Sequence, residues 1–397
     1  MARKPLPAAV WALGVASLFM DISSELVHSV LPVFLVTTLG IGIATVGLIE
    51  GIAEATAAIV KVFSGALSDR IGRRKPLVVL GYGLSMLTKP LFPLAGSAGL
   101  VITARFIDRV GKGIRGAPRD ALITDVTAPD QRGAAFGLRQ ALDSIGAFVG
   151  PLLALGLMVW LATDIRAVLW VAMLPALLSV GCIVLFVREP EQQAIDRPRP
   201  RPRRLPLSRA ELARLPAGFW WVTIFAAVLT LARFSDAFLV LRAQSLGVSL
   251  PWIPAMMVLM NLVYALGAYP AGLAADHLSR PALLMAGVIA LVAADIVLAL
   301  ADSIPLLAIG GVLWGLHMAL TQGLLSAMVA DRAPADLRGT AFGVFNLVQG
   351  VFLLLASAVA GALWQWSGPS MTFAAGAGFT LIAGAGLLAA AWRKSAW

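Results

Sequence analysis

Apolar stretches of about 20 residues recur from one end of the chain to the other. Each can cross the hydrocarbon core of a bilayer as a helix. Backbone groups in lipid must be hydrogen-bonded within the chain, so the pattern predicts an all-α membrane protein with twelve transmembrane helices. We place the predicted spans near residues 11–37, 43–66, 76–95, 98–117, 134–161, 166–187, 217–243, 252–274, 281–301, 304–329, 340–365 and 369–392.

The composition agrees with a lipid-facing surface. Hydrophobic residues make up 59% of the 397 residues and charged residues only 13%, too few to cover a soluble protein of this size. The single cysteine, Cys182, excludes a disulfide framework, and no Cys/His cluster indicates a metal site or a cofactor. An enzyme would need a nucleophile–base pair or a metal cluster, and neither is evident, so we expect no enzyme.

The distribution of basic residues predicts the topology. The net charge of +10 does not indicate nucleic acid, because lysines and arginines stand in short runs between apolar stretches. They lie on one side of the predicted membrane, so both termini and the 188–216 linker are expected in the cytoplasm, below a bacterial-type inner (plasma) membrane. The first stretch lacks a small-residue cleavage site, so we interpret it as a mature helix. The basic residues are Arg3, Lys4, Arg70, Arg73, Arg74, Lys75, Arg119, Arg132, Arg280, Arg332, Arg338, Arg393 and Lys394, with the arginines of the linker.

An internal repeat divides the chain into two related halves. The segment APDQRGAAFG at 128–137 matches APADLRGTAFG at 333–343 after one insertion. We therefore predict two pseudo-symmetric six-helix bundles, with an N-terminal bundle at 1–187, a cytoplasmic linker at 188–216 and a C-terminal bundle at 217–397. Internal repeats with a midplane site between them are typical of transporters.

The segment GALSDRIGRRK at 65–75 resembles the signature between helices 2 and 3 of the major facilitator superfamily. The resemblance implies the major facilitator fold and transport by alternating access. It also implies a cytoplasmic latch, in which a charge relay joins Asp69, Arg73 and an acid at the foot of helix 4. Alternatively, the basic residues at 70–75 only fix the topology. The predicted latch residues are Gly65, Asp69, Arg70, Arg73, Asp120 and Asp125.

A second motif, GAFVGP at 146–151, resembles the helix-5 motif of drug/proton antiporters in the same superfamily. Gly146 and Gly150 are four residues apart, which allows close helix contact, and Pro151 loosens the backbone. The motif is shorter than the family version, because no Gly-Gly pair follows. Ordinary packing of small residues is the alternative interpretation.

Charged residues inside the predicted spans are a further signal. A charge at the bilayer centre costs about 2.5–3.5 kcal/mol even on the permissive insertion scale, so such residues must face protein or water. They fall on single helix faces at spacings of three, four and seven residues. The sets are Asp21, Glu25 and His28; Glu50, Glu54 and Lys61; Arg105, Asp108, Arg109 and Lys112; and Arg139 with Asp143.

Asp21, Glu25 and Glu54 are the predicted proton-coupling acids, because protonation removes a charge that the cavity would otherwise contain. Arg105 matches the helix-4 arginine of the superfamily, and we expect it opposite Asp21 and Glu25. A fixed salt-bridge network that orders the bundle is the alternative. The predicted substrate cavity comprises His28, Glu50, Arg105, Asp108, Arg109, Asp143, Arg233, Asp236, Asn261, His317, Gln322, Asn346 and Gln349.

These observations predict a secondary active transporter that exports a small organic molecule in exchange for protons. The alternative is a proton- or cation-coupled uptake symporter for an organic anion or a metal-chelate complex. A receptor that does not transport would have no need of charges aligned along several helix interiors. We expect the partners to be a small-molecule substrate, a coupling proton or other cation and the lipid bilayer, and the protein to be a monomer.

Overall fold

The protein is described by a computed structural model that covers residues 5–71, 73–128, 131–188, 209–334 and 337–392. Within these ranges the side chains of residues 66, 69, 70, 210, 275–277 and 390–392 are not described. The described part consists of helices joined by short turns and contains no strand, which confirms the predicted all-α architecture.

The described residues of the first half form eight α-helices, two of them shorter than ten residues. They are α1 (Ala8–Val33, extended by a π-helix at Phe34–Thr38), α2 (Ile43–Ile71), α3 (Lys75–Thr88), α4 (Leu91–Leu94), α5 (Ala98–Val126), α6 (Arg132–Trp160), α7 (Ile165–Val171) and α8 (Met173–Phe186). The second half contains α9 (Arg209–Leu212), α10 (Ala217–Ala232), α11 (Ala237–Ser245), a 3-10 turn at Leu250–Trp252, α12 (Ala255–His277), α13 (Arg280–Leu300), α14 (Ile304–Arg332), α15 (Arg338–Ser367) and α16 (Pro369–Trp392).

Eleven segments of the described residues are long and apolar enough to cross a membrane. The remaining predicted span, 98–117, lies in α5, which has the length of a span but is less apolar because it contains eight charged residues. Such a helix is not suited to face lipid over its whole surface, so it must be covered by protein or water.

Local sequence explains several helix ends. Proline stands in the first turn of α3, α13 and α14, where its missing N–H has no helical acceptor to lose. The Asp164 carboxylate caps α7 by accepting hydrogen bonds from the backbone N–H groups of Arg166 and Ala167, at 3.0 and 3.1 Å. Pro90 follows Lys89 at the point where the third span divides into α3 and α4.

The first compact unit comprises Met1–His28 and Thr56–Pro206. Its apolar core is formed by side chains of α1, α3, α5, α6 and α8, among them Leu13, Met20, Tyr82 and Leu122. Ser179 on α8 donates a hydrogen bond to the Ala16 carbonyl at 2.5 Å, since a hydroxyl in a membrane interior needs a protein acceptor.

The second compact unit comprises Ser29–Ala55 and Leu207–Trp397. Residues 29–55 belong to it because the first turns of α2 contact α15 at glycines. A Cβ added to Gly47 would overlap the Ser357 carbonyl oxygen, and one added to Gly361 would lie 3.0 Å from Ala44 Cα. This contact-based division differs from the predicted boundaries at 187 and 217, which remain a prediction about domains.

Candidate functional site

A buried ion pair joins the third and fourth spans of the first unit. Lys89 Nζ lies 3.1 Å from Asp108 Oδ1 and 3.3 Å from the Ser24 hydroxyl, and both charged side chains are almost fully buried. Arg109 Nε lies 3.7 Å from the other Asp108 oxygen. Asp108 was predicted to line the substrate cavity, but the structure shows it enclosed with its own cation.

Lys89 was not identified from the sequence. It stands beside Pro90 near the end of a predicted span, where a lysine normally marks a loop. The signal that could have identified it is the position of a lysine within the apolar stretch 76–95.

Four charged residues of α5 and α6 form a closed network. Arg139 Nη1 lies 2.7 Å from Asp143 Oδ2, which is the i,i+4 pair that the sequence predicts. Arg119 Nε lies 3.2 Å from Asp120 Oδ1, and two longer contacts of 3.9 and 4.0 Å join Arg139 to Asp120 and Arg119 to Asp143. The network contains two arginines and two aspartates, so it is neutral when all four are charged.

The network also contacts two other helices of the same unit. Arg119 Nη1 donates to the Ser17 hydroxyl of α1 at 2.5 Å and lies 3.5 Å from the Tyr82 hydroxyl of α3. Asp120, predicted as a latch acid, therefore belongs to a group that connects α1, α3, α5 and α6.

The α1 acids lie where α6 packs most closely against α1. A Cβ added to Gly146 would lie 2.8 Å from the Leu18 carbonyl oxygen and 2.9 Å from Asp21 Cβ. One added to Gly150 would lie 2.8 Å from the Ile22 carbonyl oxygen and 2.9 Å from Glu25 Cβ. The glycines of the antiporter-like motif thus hold α6 against the turns that carry both acids, and the buried Pro151 follows them.

The charged surroundings of these acids include residues of α1, α5 and α6. Glu25 Oε2 lies 3.5 Å from His28 Nδ1 on the same helix face. The strongest charge interactions of Asp21 are with Asp143, Arg115, Arg119 and Lys112. Those of Glu25 are with His28, Lys112 and Arg109.

Arg105 is buried and is among the cations that attract Asp108. It stands one turn from Asp108 on α5, which directs both side chains to the same side of that helix. Its predicted place opposite the α1 acids stays a prediction.

The α2 acids belong to the second compact unit. Glu50 is 1% exposed, whereas Glu54 is only partly buried. Each has interactions with other described residues, so neither is an isolated charge.

The described part of the predicted latch contains an ion pair made by Arg74. Arg74 Nε lies 2.6 Å from Asp125 Oδ2 and its Nη1 donates to the Ser68 hydroxyl at 3.0 Å. Arg74 directly precedes α3, so the start of that helix directs it toward the foot of α5. Arg73, which the resemblance implies for the relay with Asp69, is exposed. Asp125 thus pairs with Arg74, and the relay through Asp69 and Arg73 stays a prediction.

The remaining latch residues are only partly described. Gly65 lies close to α5, because a Cβ added to it would be 3.3 Å from Ala117 Cβ. The side chains of Asp69 and Arg70 lie outside the described set, so their predicted roles, including a contact of Asp69 with Arg73, remain predictions.

The seventh span is interrupted at the residues predicted for the second half of the cavity. α10 ends at Ala232 and α11 begins at Ala237, so Arg233 and Asp236 stand at a break that the prediction of one continuous helix missed. Asp236 Oδ1 accepts a hydrogen bond from Trp314 Nε1 at 3.2 Å. Discontinuous helices in transporters mark binding sites, because their backbone groups are free to contact a ligand.

Side chains of the second unit fix this break. The backbone N–H of Ser235 donates to the Ser357 hydroxyl at 3.2 Å, and Phe234 packs against Phe238, Trp314 and Phe373 with ring centroids 5.2–5.6 Å apart.

The other predicted polar residues of the second unit occupy different environments. His317 is fully buried, and its Nδ1 lies 2.8 Å from the Gly287 carbonyl oxygen. Asn261 is buried, whereas Gln322 and Asn346 are partly exposed. Gln349 accepts a hydrogen bond from the Thr230 hydroxyl. Their burial thus differs, and their common role in lining a cavity stays a prediction.

Asp295, for which the sequence suggested no role, is fully buried between α13 and α16. Its Oδ2 lies 3.5 Å from the Thr380 hydroxyl, and a Cβ added to Gly376 would be 2.9 Å from the same oxygen. Its contacts indicate that it orders these two helices.

A cavity of about 450 Å³ lies near the ends of α11, α12 and α14. It is lined mainly by apolar side chains, including Trp252, Met256 and Leu307, and contains none of the predicted site residues. No group of three or more His, Cys, Asp or Glu residues in the described ranges could hold a metal ion.

Comparison with known proteins identifies the family. The sequence model described as Major Facilitator Superfamily matches residues 13–258 and 234–396. MJ1317, an uncharacterized MFS-type transporter of Methanocaldococcus jannaschii, is 34% identical over 394 residues, covering 97% of this chain and 95% of the relative. The multidrug resistance protein MdtH of Yersinia enterocolitica is 28% identical over 156 residues, covering 39% of this chain and 38% of that protein.

Solved structures show the same fold at low identity. A POT family transporter in complex with a thioalcohol-conjugated peptide has a TM-score of 0.81 at 12% identity, covering 97% of this chain and 96% of that one. The human organic anion transporter MFSD10 has a TM-score of 0.69 at 18% identity, covering 97% and 100%. These likenesses concern the fold alone. The family match, which spans nearly the whole chain, and the full-length archaeal relative show that this chain belongs to the major facilitator superfamily of transporters.

Proposed function

We propose that the protein is a secondary active transporter that exports a small organic molecule in exchange for protons, by alternating access. The observation that carries the proposal is the position of Asp21 and Glu25, two acids inside a membrane span, at the turns where Gly146 and Gly150 hold α6 against α1. An acid inside the membrane at such a contact can gain or lose a proton while the two helices stay packed against each other.

The ion network beside Asp21 supports a coupling role. Arg119, Asp120, Arg139 and Asp143 form a set that is neutral as a whole. Asp21 adds one negative charge next to Asp143, and protonation of Asp21 would remove it. The cluster would thereby alternate between two charge states and could favour a different conformation in each.

Two observations support export as the direction. The α6 motif that packs on α1 resembles the motif of antiporters, and MdtH, which matches over about two-fifths of the chain, is named a multidrug resistance protein. We further propose that the termini and the 188–216 linker lie in the cytoplasm, and that the Arg74–Asp125 pair contributes to the cytoplasmic latch.

The first test detects coupled export even while the substrate is unidentified. Everted membrane vesicles that contain the protein are energised by respiration, and acridine orange reports the pH gradient. Adding candidate organic anions, cations and neutral compounds singly should release protons for at least one compound class. Vesicles from cells without the protein are the control.

The second test assigns the acids. Asp21→Asn and Glu25→Gln are reconstituted in proteoliposomes with the compound that releases protons in the first test, and proton-driven transport is compared with counterflow. At least one variant should lose accumulation against the substrate gradient while keeping exchange, because the moving parts remain intact. Asp302→Asn, in an exposed turn, is the matched control. Full proton-driven accumulation in both α1 variants would place the coupling site elsewhere.

A further inference from the structure

Two lysines of the first unit lie exposed among the intramembrane charges. Lys61 is on α2, and Lys112 is the middle residue of the 29-residue α5. Neither ammonium group has a hydrogen bond or an ion pair within 4.0 Å among the residues that the structure describes.

Close packing of α2 on α5 brings these lysines to neighbouring positions. Ser64 donates to the Gly113 carbonyl at 2.9 Å, and a Cβ added to Gly113 would lie 2.6 Å from Val60 Cβ. One turn further along α5, a Cβ on Gly116 would lie 3.5 Å from Lys61 Cε. The stem of Lys61 thus lies along α5, next to the turn that carries Lys112.

The charges around Lys61 leave an excess of positive charge. Arg119, Arg139 and Lys112 repel its ammonium group, and Asp120 is the acid that attracts it most. Asp120 already has contacts with Arg119 at 3.2 Å and Arg139 at 3.9 Å. Because Arg119, Asp120, Arg139 and Asp143 already form a neutral set, Lys61 adds one positive charge beside it.

The acids that act on Lys112 are also engaged. Glu25 lies 3.5 Å from His28, and Asp21 is next to the Asp143 carboxylate of the four-residue network. Asp108, the other acid of α5 near this level, is paired with Lys89 at 3.1 Å. Fixed carboxylates thus attract Lys112 from a distance, but none within the described chain forms a pair with it.

Two exposed ammonium groups that repel each other favour an anion near them, and lipid cannot solvate them. Their neighbours are the charged residues of α1, α5 and α6, so they do not stand on an apolar, lipid-facing surface. We propose that Lys61 and Lys112 form the binding site for the anionic group, a carboxylate or a phosphate, of a soluble organic substrate. This inference rests on the proposed transport function and specifies its substrate class.

The test measures the local potential by chemical labelling. The chain has one cysteine, so Cys182→Ala gives a cysteine-free background. In it, Lys61→Cys and Lys112→Cys are labelled separately with a negatively charged and a positively charged methanethiosulfonate reagent of similar size. Ser249→Cys, exposed in the second unit, is the matched control. Size-exclusion profiles of all variants establish that they are folded.

The ratio of anionic to cationic labelling rates should be roughly tenfold higher at both lysine positions than at the control, because the remaining cations attract the anionic reagent. Adding Lys61→Gln to Lys112→Cys should remove most of the preference. Benzoate should slow labelling, whereas benzyl alcohol and benzylamine at equal concentration should not. Ratios equal to the control, or equal protection by all three compounds, would overturn the anion site.

A lipid phosphate is the competing source of negative charge. Labelling is therefore repeated in nanodiscs of phosphatidylcholine alone and with phosphatidylglycerol. If benzoate slows labelling in both kinds of nanodisc, the site binds a soluble anion. If phosphatidylglycerol slows labelling and benzoate does not, the proposal of a soluble anionic substrate is overturned. Because labelling requires no transport, a negative result leaves proton coupling untouched. The α1 variants remove negative charge near Lys112, so loss of coupling in them does not remove the preference for the anionic reagent.

Discussion

The buried pair of Lys89 and Asp108 should show a strong coupling energy in a double-mutant cycle. The two single substitutions should destabilise the protein by unequal amounts. Removing one partner of a buried ion pair typically costs about 3–5 kcal/mol, because the other charge stays buried without compensation. Asp108→Asn should reach that range, since Lys89 would then remain with the repulsion of Arg109 and Arg115.

Lys89→Met should cost less, about 1.5–3 kcal/mol, the usual value for a lost charged hydrogen bond. The Asp108 carboxylate would still have Arg109 at 3.7 Å and the attraction of Arg105 and Arg115. In the Asp108→Asn background the same Lys89→Met change should be neutral or stabilising, because it removes a cation that no longer has its acid. The coupling energy, which is the difference between these two costs, should therefore be at least about 1.5–3 kcal/mol.

Unfolding of purified protein in detergent, followed by the fluorescence of its eleven tryptophans, measures these differences. The exposed pair of Arg280 and Asp331 provides a control cycle in the same chain and should give a coupling of about 0–1 kcal/mol. Equal costs of Lys89→Met in both backgrounds would refute the argument, as would a larger cost for Lys89→Met than for Asp108→Asn.

Three further outcomes can be measured. Gly150→Ala should lower thermal stability and transport, because the added Cβ would lie 2.8 Å from the Ile22 carbonyl oxygen. Gly156→Ala on the same helix should have little effect, because the space around that Cβ is open. Equal effects of the two changes would refute the packing role. Arg74→Ala should increase labelling of cytoplasmic cysteines more than Arg73→Ala, since Arg74 is the residue that pairs with Asp125; identical labelling would remove Arg74 from the latch. A cysteine in the 188–216 linker should be protected from impermeant reagents added outside intact cells, and labelling there would reverse the proposed topology.

The spans were predictable because hydropathy depends on the sequence alone. The ninth predicted span, 281–301, corresponds to α13 at Arg280–Leu300, and the tenth, 304–329, to α14 at Ile304–Arg332. The break in the seventh span was not predictable. No glycine or proline stands between Ala232 and Ala237. The backbone N–H of Ser235 donates a hydrogen bond to Ser357, which is 122 positions away in the sequence.

The candidate site shows the same limit for charged residues. The Arg139–Asp143 pair could be predicted because a helix fixes which residues stand four apart on one face. The Lys89–Asp108 pair could not, because it depends on how α3 and α5 rotate against each other.

The exposed lysines, Lys61 and Lys112, also bear on the electrical energetics of transport. The interior of a cell is electrically negative, and each elementary charge that crosses the membrane contributes about 2.3 kcal/mol per 100 mV. Export of a monovalent anion in exchange for one proton moves two charges in the favourable direction, so the membrane potential drives both steps. Uptake of the same anion with one proton is electroneutral. Collapsing the potential with valinomycin and potassium would thus slow export but leave such uptake unchanged. Whether transport of an anion bound by these lysines depends on the membrane potential therefore also shows the direction of transport.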